Sequence, residues 1–112
     1  MADVYEIFHY QTADGLDVYD TWLDHLADAD AVSRIIRRVD RIQSGNFGDH
    51  KSVGQGVWEL RIDYGPGYRV YYAMMGRQVV LLLCGGDKRK QSADIQRAIR
   101  MWKDVNERMS KP

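Results

Sequence analysis

From Trp58 onward, apolar and polar residues alternate with a period of two. Trp58, Leu60, Ile62 and Tyr64 interleave with Glu59, Arg61 and Asp63, so rings and aliphatic groups fall on one side of a strand and charges on the other. After Gly65-Pro66-Gly67 the alternation resumes. Tyr68, Val70, Tyr72 and Met74 share one side; Arg69, Tyr71, Ala73 and Met75 share the other. Proline fixes its own φ and the flanking glycines admit positive φ, so this segment is a turn. Gly76-Arg77 suits a two-residue hairpin loop with glycine at the first central position. The run Val79 to Cys84 is apolar on both sides, which predicts an interior strand covered on both faces.

On either side of this block the pattern differs. Val4 to Tyr10 is rich in β-branched and aromatic residues and predicts a first strand. Thr12 or Asp14 can cap a helix whose Leu16, Tyr19, Trp22, Leu23 and Leu26 fall at helical spacing, with Asp17, Asp20 and Asp24 opposite. Asp30 reads as the cap of a second helix, turning Val32, Ile35, Ile36, Val39 and Ile42 inward and leaving Arg34, Arg37, Arg38 and Arg41 on its flanks. The short connection predicts an antiparallel pair. Bridges from these arginines to the Asp stripe are then favoured over a contact with RNA. Phe47 to Gly56 is expected to be a glycine-rich loop carrying His50 and Lys51. Ser92 can cap a last helix to about Arg108, burying Ile95, Ala98, Ile99, Trp102 and Val105.

The expected order is strand, helix, helix, three strands, helix. That is an α+β fold in one domain spanning residues 1–112, with a mainly antiparallel, twisted sheet and the helical pair on one face. Trp58, Leu60 and Ile62 should then be buried with Ile35, Ile36, Trp22 and Leu23, because the apolar face of the sheet needs a helical cover.

Composition narrows the class. The chain has 112 residues, 45% of them hydrophobic and 29% charged, an ordinary globular balance. No apolar run is long enough to span a membrane, and neither an export signal nor a membrane partner is expected. The single cysteine, Cys84, allows no internal disulfide and reads as a small buried hydrophobe in a cytoplasmic protein. The net charge of zero hides an asymmetry: residues 1–33 carry eight acids and no Lys or Arg, leaving sixteen cations against eight acids in the remainder. The three histidines and one cysteine show no metal-ligand spacing, so no metal or cofactor is expected. Gly85-Gly86-Asp87-Lys88 is too short for a phosphate loop.

Candidate chemistry converges at one end of the strands. Arg61 and Arg69 fall on the charged sides of adjacent strands, Tyr71 shares the side of Arg69, and the third strand delivers Lys88, Arg89 and Lys90 nearby. Cations beside an aromatic ring suit single-stranded RNA, whose phosphates pair with arginine and whose bases stack on rings. Local pairing of Arg61 with Glu59 or Asp63 is the structural alternative. His50, Glu59, Tyr71 and Asp87 are the proton-transfer candidates by chemistry alone, and Lys51 is a further RNA contact. Arg69→Ala is expected to leave the fold intact, since Arg69 points away from the proposed core.

The order "ELR", glycine turn, "GYRVYY", short turn, apolar strand, "GGDKRKQSADI" and helix resembles the RelE/ParE/HigB superfamily of toxins, nearest its HigB-like, phage-associated addiction-module killer branch. The resemblance covers nearly the whole chain. It implies a RelE-like, microbial-ribonuclease-type fold and a type II toxin that cleaves messenger RNA on the ribosome. In that chemistry the RNA's 2′-hydroxyl attacks the adjacent phosphate, without a metal. It also implies a small helix-turn-helix antitoxin as partner. The superfamily's basic positions map onto Arg61, Arg69, Lys88 and Arg89. Two positions depart from the pattern: Glu59 stands where a basic residue is expected, and Ala93-Asp94-Ile95 replaces a segment carrying a tyrosine. These departures keep open a non-catalytic, ParE-type toxin acting on DNA gyrase, and also a non-toxic interaction domain.

Overall fold

A computed structural model describes residues 4–110 of the chain. The elements, in order, are β1 (Glu6–His9), α1 (Val18–Asp24), α2 (Ala29–Ile42), β2 (His50–Gly54), β3 (Val57–Ile62), β4 (Tyr68–Met74), β5 (Val79–Asp87) and α3 (Gln91–Ser110). A single 3-10 turn, Lys88–Lys90, joins β5 to α3. The five strands form one mixed sheet in the order β1-β5-β4-β3-β2, with β1 parallel to β5 and the other neighbours antiparallel.

The α+β class and the facing of alternate residues in β3 and β4 agree with the sequence pattern. Arg61 stands directly opposite Arg69, Glu59 opposite Tyr71 and Leu60 opposite Val70. One strand was not foreseen. The segment Phe47 to Gly56, expected to be a loop, contains β2, an edge strand whose residues are almost all solvent-exposed. Its sequence, HKSVG, has no apolar alternation because it covers little of the core. Edge pairing alone holds it to β3, with an irregularity between Ser52 and Gly54.

Both faces of the sheet are covered. Helices α1 and α2 close one face, where Tyr19, Leu23, Ile35, Val39 and Ile42 pack on Leu60, Ile62, Val70, Tyr72 and Leu82. Helix α3 closes the other, packing Ala98 and Val105 over Val57, Tyr71, Ala73, Leu83 and Cys84. The double apolarity of β5 thus has its expected cause: its central residues are buried against both layers. Trp58 and Trp22 are partly buried on the α1–α2 side, but Ile36, expected inward, is 41% exposed.

The helix starts also differ from expectation. Asp17, rather than Thr12 or Asp14, caps α1 through a bond from the Asp20 N–H. Asp28, rather than Asp30, caps α2 by accepting from the Asp30 and Ala31 amides. Asp87, in place of Ser92, caps the turn that leads into α3. In each case a chemically equivalent acceptor lies nearby in sequence, and local propensity does not choose between them. The loop after β4 is one residue longer than expected: the Met75 amide donates to the Val79 carbonyl at 2.8 Å, enclosing Gly76, Arg77 and Gln78.

The expected bridges between helices are missing. No ion pair joins Asp17, Asp20 or Asp24 to Arg34, Arg37, Arg38 or Arg41 among the described residues. Asp17 instead meets His9 at 2.7 Å. Arg38 turns the other way and donates to the backbone carbonyls of Arg61, Phe47 and Asp49, bracing the entry to β2.

Two adjacent glycines let a helix approach from each side of β5. A Cβ on Gly85 would stand 2.2 Å from the Trp22 ring, and one on Gly86 would stand 1.9 Å from the Asp94 carboxylate. The indole cannot yield without unpacking α1, whereas the carboxylate can rotate. Gly85→Ala is therefore expected to cost about 1–3 kcal/mol of stability by overpacking. Gly86→Ala should cost less. Chemical denaturation of the two variants measures the difference.

Candidate nucleic-acid interface

The Gly65-Pro66-Gly67 turn brings three of the sequence-predicted cations together. A cleft of about 430 Å³ opens at this end of β3 and β4, lined by Arg61, Arg69 and Lys88 with Asp49, Asp63 and the turn itself. Gly67 has a φ of +81°, and a Cβ there would touch the Arg69 guanidinium and the Lys88 Cβ at 3.4 Å. The glycine thus serves both the turn and the close approach of the two cations. The Lys88 amide also donates to the Gly67 carbonyl at 2.9 Å, tying the end of β5 to the turn.

The three cations are held differently. Arg61 reaches outward and sends two N–H groups to Asp49 Oδ1, at 3.1 and 2.8 Å. Its side chain is 36% exposed, so this pair is screened and its net worth is small. The expected partners, Glu59 and Asp63, do not bind it. Lys88 is exposed and makes no ion pair among the described residues. Arg69 is different: its side chain is only 11% exposed, and its Nε stands 3.2 Å from Oε1 of Glu59, itself 1% exposed. The two atoms lie off the hydrogen-bond direction and both count as unbonded, so the contact is ionic rather than a well-formed bond. Gln91, at the start of α3, donates to the other Glu59 oxygen at 2.7 Å.

Glu59 therefore has a structural reason for replacing the basic residue of the resembled pattern. Among the described residues it is the one buried charged side chain, and it neutralises Arg69 beneath the first turn of α3. The expectation that Arg69 could be removed without consequence for the fold is corrected by this burial. A charge-bearing strand face predicts exposure only when no helix covers it, and α3 covers this one.

The other sequence candidates are dispersed. Tyr71 is fully buried under α3, its hydroxyl unbonded and its pKa raised by burial and by the nearby Glu59 and Asp94 charges. It offers no exposed ring for a base. His50 projects from β2 beside Phe47 and Trp58, at ring distances of 5.5 and 5.4 Å. Opposite Leu60 in the register, it lies on the α1–α2 face, away from the cleft. Lys51, opposite Glu59, lies on the α3 face and is exposed on the edge strand. Arg89 doubles back on Asp87 at 2.9 Å, which holds the Asp87 carboxyl below the usual range. Lys90 is exposed in the 3-10 turn. Burial pushes the Cys84 thiol up to about 11, so it is no nucleophile at neutral pH.

Asp94 was not singled out by the sequence except as an occupant of the missing-tyrosine segment. Packed over Gly86 and near Arg97 at 3.9 Å, it has its pKa raised chiefly by desolvation, against the opposing pull of Arg97. The folded protein therefore holds this proton more tightly than the unfolded chain. The consequence is a stability penalty that is absent below the unfolded pKa and grows as pH rises through the folded one. Asp94→Asn should raise the melting temperature at pH 7 and leave it nearly unchanged near pH 3. Melts across that range check the sign.

Residues 21–103 match the family model described as "Phage derived protein Gp49-like (DUF891)". The match runs from within α1 to within α3 and includes every residue that lines the cleft. The chain belongs to the Gp49-like family. That family is of the addiction-module killer, or toxin, type, and an antitoxin is the partner such a module supplies. A relative from Haemophilus influenzae (strain Rd), an uncharacterized protein, is 51% identical over 80 residues, covering 71% of this chain and 81% of the relative. The five-stranded sheet with three helices is compatible with a RelE-like fold. Among the described residues, no helix is long and apolar enough to cross a membrane.

Proposed function

We propose that this Gp49-like toxin acts in the cytoplasm as an endoribonuclease that cleaves messenger RNA on the ribosome. The observation that carries the proposal is the convergence of Arg61, Arg69 and Lys88 on one open cleft. In this reading a backbone phosphate lies in the cleft, with Arg61 and Lys88 on its non-bridging oxygens and Arg69 behind them. The 2′-oxygen attacks the adjacent phosphorus, the bond to the 5′-oxygen breaks, and a 2′,3′-cyclic phosphate and a 5′-hydroxyl remain. Negative charge builds on the phosphorane oxygens, where fixed guanidinium and ammonium donors stabilise it more than they stabilise the ground state.

The reaction needs a base for the 2′-proton and an acid for the leaving oxygen. Among the protein groups in the cleft, Asp49 and Asp63 are the carboxylates on hand. Asp49, already oriented by Arg61, is the assigned base, and a water or the ribosome delivers the second proton. The antitoxin, a small helix-turn-helix protein, covers the same cleft with an acidic segment.

None of His50, Glu59, Tyr71 and Asp87 lines the cleft, which favours a second reading, a toxin that poisons DNA gyrase by contact alone. Induction of the chain without its antitoxin separates the two. Loss of intact message before any change in plasmid supercoiling supports cleavage. A supercoiling change with message intact supports the gyrase reading and removes the first.

A further inference from the structure

The arginines of α2 form a second cationic site that the cleavage chemistry does not use. Arg34, Arg37, Arg38 and Arg41 fall at i, i+3, i+4 and i+7, which sets them on one flank over roughly 10 Å of helix. With Asp63 and Tyr64 they line a cleft of about 270 Å³. Four guanidinium groups face one carboxylate there, and none of the four forms a salt bridge among the described residues. Arg34 lies 4.4 Å above the centre of the Tyr64 ring, a contact that holds its fork in place without consuming its donors. Arg37 and Arg41 are exposed; Arg37 donates to the carbonyl and hydroxyl of Ser33 in its own helix. So many cations kept together against a single carboxylate repel one another unless an anion completes the site.

We propose that this arginine row is a docking site for the phosphate backbone of RNA, continuous with the Arg61 cleft. The proposal rests on the RNA reading of that cleft. Continuity is structural: Asp63 lines both clefts, and Arg38 donates to the backbone carbonyl of Arg61. A strand leaving the Arg61 cleft past Asp63 runs directly onto α2. The chemistry selects phosphate over an acidic protein segment. A protein segment needs an apolar anchor beside the charges; of the apolar groups lining the cleft, Ile62 is only 4% exposed and the Tyr64 ring is already covered by Arg34. Planar forks at helical spacing match phosphate oxygens, two donors at a time.

The test uses the full chain and a fluorescently labelled RNA hairpin with single-stranded flanks, carrying a non-cleavable 2′-O-methyl backbone. Arg37→Ala/Arg41→Ala removes the two exposed arginines and spares Arg38, which braces the β2 entry. Loss of two phosphate contacts should weaken hairpin binding about tenfold or more near physiological salt and lower the slope of log affinity against log salt by roughly 1.5. Arg37→Lys/Arg41→Lys, which keeps the charge, should recover most of the slope. Unchanged affinity and slope in the double-alanine variant, with binding still lost in Lys88→Ala, would overturn the second site and leave the cleft reading standing. If no variant changes hairpin binding, both fail. A double-alanine variant that binds the hairpin normally but loses a polyglutamate peptide assigns the row to an acidic protein instead. Melting temperatures equal to wild type show that the comparison concerns binding rather than folding.

Discussion

Glu59→Ala and Arg69→Ala should each lower the melting temperature by more than about 10 °C. In either variant one charge stays buried without its partner, for which the typical cost is about 3–5 kcal/mol. A chain of this size shifts its midpoint by roughly 4 °C per kcal/mol. Here the exposures are 1% for Glu59 and 11% for Arg69, so little solvent screening softens the loss. Gln91 is affected as well, because its amide donates to Glu59 across the sheet–α3 boundary; Gln91→Ala alone should be milder. The double variant Glu59→Met/Arg69→Met, with both charges replaced by apolar groups, should regain most of the stability lost by either single change. If Arg69→Ala melts like wild type, the pair is not the constraint described. Activity lost by Arg69→Ala is consequently ambiguous, since unfolding and a lost phosphate contact have the same effect on rate.

Arg61→Ala and Lys88→Ala are the informative variants for catalysis. Each should slow messenger cleavage in a translating extract about a hundred- to a thousandfold, the usual loss for one preorganised donor at a developing negative charge. Neither should shift the melting temperature by more than a few degrees. Arg61 is paired only with Asp49 near the surface, and exposed pairs contribute under about 1 kcal/mol. Lys88 has no ionic partner to lose among the described residues. Arg61→Lys should recover little, because an ammonium cannot present two N–H groups in the geometry of the fork. Asp49→Asn tests the base: it should retain the fold and message binding while cleavage falls. Full cleavage by Arg61→Ala with normal melting would remove Arg61 from the site.

Much of this could be read along the chain. Period-two alternation assigned the faces of β3 and β4 and put Arg61 and Arg69 on the same side, because alternate residues of a strand point to opposite faces whatever surrounds it. The direct pairing of the two came from the structure. The apolarity of Val79 to Cys84 announced a strand buried on both sides for the same local reason. Arg61, Arg69 and Lys88 could be grouped because strand order and one glycine turn were enough to bring them to one end. Tertiary structure decided what pattern cannot express. Strand β2 carries no hydrophobic signature, and only pairing to β3 makes it a strand. A charged strand face looks solvated in sequence, yet α3 lies across it and converts Glu59 and Arg69 into a buried pair and Tyr71 into core. The partners of the α2 arginines depended on the direction in which each side chain leaves the helix relative to a neighbour far away in sequence. Burial and ion pairing are properties of contacts between segments, and helical or strand periodicity describes only one segment at a time.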